Sequence, residues 1–162
     1  MYRLSGQSGA RPPHSKNQGE NPVNPRLKTA CIILYVVATI AILYGLVYSF
    51  IPTLWPYHKR YLGIPLTELP PHVVDLYLLI YRGVGAAMIS IGATLVMLVK
   101  GLLSKGNRWA WWTIAVMMGL TLVPLLFITR SVGPYTPWWG IGILIAVVGF
   151  ALFLAWPHTR RE

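Results

Sequence analysis

Acidic residues are scarce. Asp and Glu number four in 162 residues, against 14 Lys and Arg. Charged residues of both signs make up 11% of the chain, and 55% of residues are hydrophobic. Soluble domains carry about 25% charged residues, so this composition excludes an ordinary soluble enzyme. Cysteine is nearly absent. With Cys31 alone, an intramolecular disulfide, a Cys-rich zinc site and a CxxC redox pair are all excluded. Histidine occurs at positions 14, 58, 72 and 158, none in the middle of an apolar run. Transmembrane haem needs facing axial ligands inside a bundle, so none is expected, and no metal or other cofactor is expected either. The sequence also lacks GxxxxGK[ST], HExxH and GxSxG.

What remains is dominated by four long apolar runs, at about residues 30–51, 73–99, 109–130 and 138–156. Each reaches the length needed to cross a hydrocarbon core of about 30 Å at about 1.5 Å rise per residue. Pro52, Pro56 and Pro157 close runs, and Pro70-Pro71 opens one. No alternating strand pattern competes. Irregular backbone is not tolerated against lipid, so the expected fold is all-α, an integral membrane four-helix bundle over residues 29–158.

Residues 1–28 form a different regime. Gly6 to Pro25 is rich in Gly, Pro, Ser, Asn and Gln and nearly free of large apolar side chains. It cannot bury enough surface to offset its ordering entropy, and it reads as a disordered basic tail. It is not expected to be a signal peptide, because the following apolar run is too long and no small-x-small cleavage site closes it.

Positive charge sets the orientation. Arg3, Arg11, Lys16, Arg26, Lys28, Lys100, Lys105, Arg108, Arg160 and Arg161 fall on one side of a four-span topology. Lys59, Arg60 and Arg130 fall on the other. The positive-inside rule predicts both termini in the cytoplasm and a multi-pass protein of the plasma (inner) membrane. A formal net charge of +10 in so apolar a chain points to anionic lipid on the cytoplasmic side. The tail has no dense basic run, so nucleic acid is not an expected partner.

Aromatic residues mark both interfaces: Trp109, Trp111, Trp112 and Trp156 inside, Tyr48, Trp55, Tyr57, Tyr61, Tyr135, Trp138 and Trp139 outside. The outer link, residues 52–72, is long for a connector and too apolar for a free loop. It is expected to lie along the membrane surface with a short interfacial helix.

The sharpest polar feature is Arg82, inside the second run. An ionisable residue within a span is a functional candidate by default. Arg82 lies about six residues, roughly 9 Å, below the expected outer edge, so snorkelling to the headgroups is the alternative role. Asp75 shares its helix face, about 10 Å away along the axis, and is placed in the first helical turn where the macrodipole favours it. His72, Asp75, Tyr77, Tyr81 and Arg82, with Tyr57 and His58 from the outer link, form the candidate polar cluster. Small residues line two of the runs: Gly85, Ala86, Ser90 and Gly92 in the second, Gly142, Ala146 and Gly149 in the fourth. They allow close helix approach, either within the bundle or against another subunit.

The stretch Tyr81-Arg82-Gly83-Val84-Gly85 through Gly92-Ala93, with the later Asn107-Arg108-Trp109-Ala110-Trp111-Trp112, resembles small prokaryotic four-span proteins of the DoxX-like kind. The resemblance covers about 35 residues. It implies a prokaryotic plasma membrane and a compact four-helix bundle, and for some such proteins a link to quinol or thiol redox systems. The missing cysteine pair departs from a thiol role.

No catalytic constellation emerges. The first expectation is a non-catalytic integral membrane protein, an accessory or assembly subunit of a larger membrane complex, in contact with other subunits or with copies of itself. The alternative is a small membrane enzyme or carrier for a lipid-soluble molecule such as a quinone, acting at the outer half of the bundle.

Overall fold

A computed structural model of the chain describes residues 24–133 and 136–156. The expected disordered tail lies outside the described residues apart from its last few positions. The described chain is helical, and no strand forms among its residues. Helix α1 spans Pro25–Phe50, α2 Pro56–Leu62, α3 Pro71–Gly101, α4 Arg108–Ser131 and α5 Trp138–Ala155. Short 3-10 turns at Leu66–Glu68 and Leu103–Lys105 flank α3.

Four of these helices, all but α2, are long and apolar enough to cross a membrane. Between 17 and 33% of their most apolar stretches are buried within the protein. The rest faces outward, including Phe50, Met97, Leu120, Phe127 and Phe153, each more than 65% exposed. Water would not tolerate so much contiguous apolar surface, and lipid does. The chain is a multi-pass membrane protein built as a helix bundle.

Helix ends follow local chemistry. The Asn24 side chain accepts from the Arg26 N–H at 3.0 Å and Pro25 occupies the first turn. These two residues start α1 five positions before the apolar run, so residues 25–28 are helical and not part of the tail. Likewise Pro71 opens α3 two residues early. Asp75 therefore lies just beyond the first turn, and the dipole argument made for it loses its basis. Asn107 caps α4, accepting from the N–H groups of Trp109 and Ala110 at 2.8 and 3.2 Å. Pro124 sits within α4, where its ring removes one backbone donor.

The most extensive contact is α1 against α3; α5 packs on α1 and α4 on α5. The α3–α4 seam is the loosest of the ring. Small residues set the α1–α3 distance. A Cβ on Gly45 would lie 2.7 Å from the Gly85 carbonyl oxygen, and one on Gly92 would lie 2.8 Å from that of Ala38. A side chain larger than hydrogen at these points would force the two helices apart. The main core lies toward the end that carries the α3–α4 link, where Leu34, Leu95, Val99, Leu103 and Ile114 are almost fully buried.

The other small residues behave differently. Ala86 and Ser90 are exposed, one step around α3 from the packed face. A Cβ on Gly142 or Gly149 would meet nothing within 4 Å, and Ala146 is exposed. Among the described residues, the close approach of α1 and α3 rests on Gly45, Gly85 and Gly92, while Ala86, Ser90, Gly142, Ala146 and Gly149 lie away from it. The reason is rotational: a 3.6-residue period lets one line of small residues face a neighbour while the next line faces lipid.

Candidate functional site: an aromatic clasp and the cavity beside it

At its far end α1 carries Tyr44 and Tyr48, four residues apart and therefore on one face, with ring centroids 5.5 Å apart. Pro52 ends the helix path, and the chain turns back. Leu54, 1% exposed, anchors the turn in the protein. The Trp55 indole then stacks parallel to the Tyr44 ring, centroids 6.4 Å apart and planes 5° from parallel. Pro56 starts α2, which brings Tyr57 and His58 over the helix ends.

Two hydrogen bonds fasten α2 down. The Tyr57 and Tyr48 hydroxyls lie 2.6 Å apart, joining α2 to α1. His58 Nδ1 meets the Tyr81 hydroxyl, joining α2 to α3. Ring contacts close the circuit: Tyr48 lies 5.3 Å from Tyr81, and His58 lies 4.3 Å from Tyr57. Such pairs add to stability beyond the area they bury. Tyr81, 5% exposed, sits at the centre. We call this cluster the clasp.

Burial sets the protonation states in the link. It pushes the Tyr57 hydroxyl upward, further raised by Tyr44 and partly offset by the bond to Tyr48. It pushes the His58 imidazole below its ordinary value. Near neutral pH the Tyr57–His58 pair is therefore uncharged, suited to neutral hydrogen-bonding groups and not to anions. Trp55 Nε1 in the clasp is buried, and among the described residues no atom accepts from it. A buried orphan of this kind costs free energy unless another group meets it.

Between the four long helices lies a cavity of about 290 Å³. Its wall includes Val37, Ala41 and Tyr44 of α1, Met88 and Ile91 of α3, Met118 and Leu122 of α4, and Gly140 and Leu144 of α5. Thr121 is among the few polar lining residues, and its hydroxyl is spent on the Met117 carbonyl at 2.8 Å. The wall is thus almost wholly apolar. Its volume is at the lower end of small-molecule sites, roughly 300 Å³ and upward. Tyr44 belongs to both cavity and clasp. Helices α3 and α4, the neighbouring helices in least contact, both line the cavity.

The candidates from sequence are thus divided. Tyr57, His58 and Tyr81 come together in the clasp. Tyr77 is half-buried one turn before Tyr81. His72, Asp75 and Arg82 are exposed on the outside of the bundle. Tyr44, Tyr48 and Trp55 were missed as site residues. Their signal was the four-residue spacing of two tyrosines at the end of a span, followed by a Pro-bounded aromatic segment. Among the described residues no group of three or more His, Cys, Asp or Glu is placed to hold a metal ion. No family model, curated protein or solved structure matches the chain.

Proposed function

We propose that the protein is a non-catalytic, membrane-embedded binding protein for a lipid-soluble molecule, an aliphatic or isoprenoid chain ending in a neutral polar head. The observation that carries this reading is the apolar cavity sharing Tyr44 with a neutral, hydrogen-bonding clasp. The chain of the ligand would fill the cavity. Its head, a carbonyl or hydroxyl as in a quinone or quinol, would meet the clasp. Entry along the α3–α4 seam would need no passage through water. Neutral clasp groups favour such a head over a phosphate or carboxylate, which would lose its hydration without gaining a countercharge.

The same reading places the protein in the plasma membrane with both termini in the cytoplasm. Support comes from charge: among described residues Arg26, Lys28, Lys100, Lys105 and Arg108 lie at one end of the bundle. Lys59, Arg60 and Arg130 lie at the other, with the acids Glu68 and Asp75. The clasp is then on the outer side.

A second reading, an accessory subunit of a larger complex, draws on a separate observation. The outward face of α3 exposes Ala86, Ser90 and Thr94 at four-residue spacing, the pattern that lets another helix approach closely.

The test is native mass spectrometry of the full chain extracted gently from its own membrane. A stoichiometric apolar ligand is expected on the wild type. The ligand should be lost from Ala41→Trp and Gly140→Phe, which fill the cavity while the protein stays folded. A wild type that carries no such ligand, or a filled variant that keeps it, overturns the binding reading. Stoichiometric protein partners in its place would establish the second reading.

A further inference from the structure

The opposite end of the bundle carries a second feature, independent of the clasp and its cavity. Trp109, Trp112, Thr113, Val116 and Met117 line a shallow, open groove on the outward side of α4. Their spacing is that of one helix face, so the groove runs down α4 from its first turn. From Trp109 to Met117 it descends about 12 Å, close to the thickness of one leaflet's hydrocarbon, about 15 Å. Thr113 supplies the depth, a short side chain between larger ones.

The head of this groove is cationic. Arg108 opens α4, and its guanidinium lies over the Trp156 ring, 5.5 Å from the centroid. That contact fixes its height at the interface, where Trp111, Trp112 and Trp156 pack edge to face. Lys105 is exposed three residues earlier. Among the described residues no Asp or Glu lies at this end. The N–H groups of Trp109 and Ala110 are already taken by Asn107. Charge attraction therefore falls to the side chains. Cation above, apolar groove below and one-leaflet depth together describe the shape of a single anionic phospholipid.

The geometry points to a specific phospholipid seat on α4: one acyl chain in the Trp109–Met117 groove, the phosphate on Arg108 and Lys105. Charge complementarity selects an anionic lipid such as phosphatidylglycerol over a zwitterionic one. The groove distinguishes the seat from the diffuse enrichment that any basic surface produces.

The experiment uses the full chain in detergent, titrated with phosphatidylglycerol or phosphatidylcholine of matched chains and read by native mass spectrometry. One phosphatidylglycerol adduct should persist at collision energies that strip phosphatidylcholine. Its population should fall at least about fivefold in the Arg108→Gln, Lys105→Gln double variant. It should fall as far in Thr113→Phe, which fills the groove and leaves every charge in place. Lys59→Gln with Arg60→Gln, at the other end, should leave it unchanged. Equal retention of both lipids overturns the proposal. So does an adduct that survives Thr113→Phe, since that outcome means charge enrichment without a seat.

Discussion

The carbonyl oxygen of Gly45 lies 2.6 Å from the point that a Cβ on Gly85 would occupy. The relation repeats one step along the crossing, where Ala38 meets Gly92. Both partners are seven residues apart on their own helices, so two antiparallel helices meet at two matched points. Replacing Gly85 with Ala should force α1 and α3 apart and cost about 1–3 kcal/mol, the usual range for overpacking. Gly92→Ala should behave alike. Gly83→Ala is the control, because nothing lies within 4 Å of its added methyl. It should be neutral, or stabilising by up to about 1 kcal/mol through helix propensity. Unfolding in mixed micelles reads all three, and equal stability for Gly85→Ala and Gly83→Ala would contradict the close crossing.

Acid should loosen the clasp. Burial holds the His58 pKa in the folded protein below its ordinary value of 6.5. As pH falls, the unfolded chain then takes up a proton before the folded chain does. The stability contributed by neutral His58 is full above about pH 6.5 and is lost as pH falls toward the folded-state value. The thermal midpoint in detergent should therefore drop between pH 7.5 and 5. The drop should shrink in His58→Gln and persist in His72→Gln, since His72 is exposed and outside the clasp. An unchanged drop in His58→Gln would assign the acid loss to another group.

The four spans were legible because each is a long apolar run, and length alone decides between a span and a core helix. Gly85 and Gly92 were legible as a pair because seven residues make two turns. Their partner was not, since Gly45 sits in a run where nothing else marks one face. The clasp was only half legible. Tyr57, His58 and Tyr81 stand out as polar groups near an interface, yet the aromatic-belt rule accounts for them equally well. What joins them is the return of the chain at Leu54, a tertiary event that no local spacing encodes. Arg82 shows the converse. It is the most conspicuous residue in the sequence, yet the 100° step from Tyr81 turns it outward.

The Tyr48–Tyr57 bond should show coupling between α1 and α2. The two hydroxyls are 2.6 Å apart and both rings belong to the clasp. Removing either hydroxyl leaves the other half-buried without its partner, so each single Phe variant should cost about 1 kcal/mol or somewhat more. Removing both leaves no orphan. The double variant should therefore lose less than the sum of the singles, by about 0.5–1.5 kcal/mol. Strict additivity in a double-mutant cycle would mean that the hydroxyls do not bond to one another in the membrane.

At the opposite end the α4–α5 contact depends on Trp111, whose Nε1 donates to the Leu152 carbonyl at 2.8 Å. That carbonyl also accepts from the Trp156 N–H at the helix terminus. Trp111→Phe therefore removes one bond without leaving a bare acceptor, and the expected loss is small. Interhelical hydrogen bonds in membranes average about 0.6 kcal/mol and reach about 1.7. The ring is a separate matter, because Trp111 lies 4.8 Å from both Trp112 and Trp156 in edge-to-face contacts. Trp111→Leu forfeits those contacts too and should lose about 0.5–1.5 kcal/mol more. Unfolding measurements on the two variants separate the terms. If Phe matches the wild type while Leu fails, ring packing holds α4 to α5. If Phe alone fails as badly as Leu, the hydrogen bond is the stronger tie.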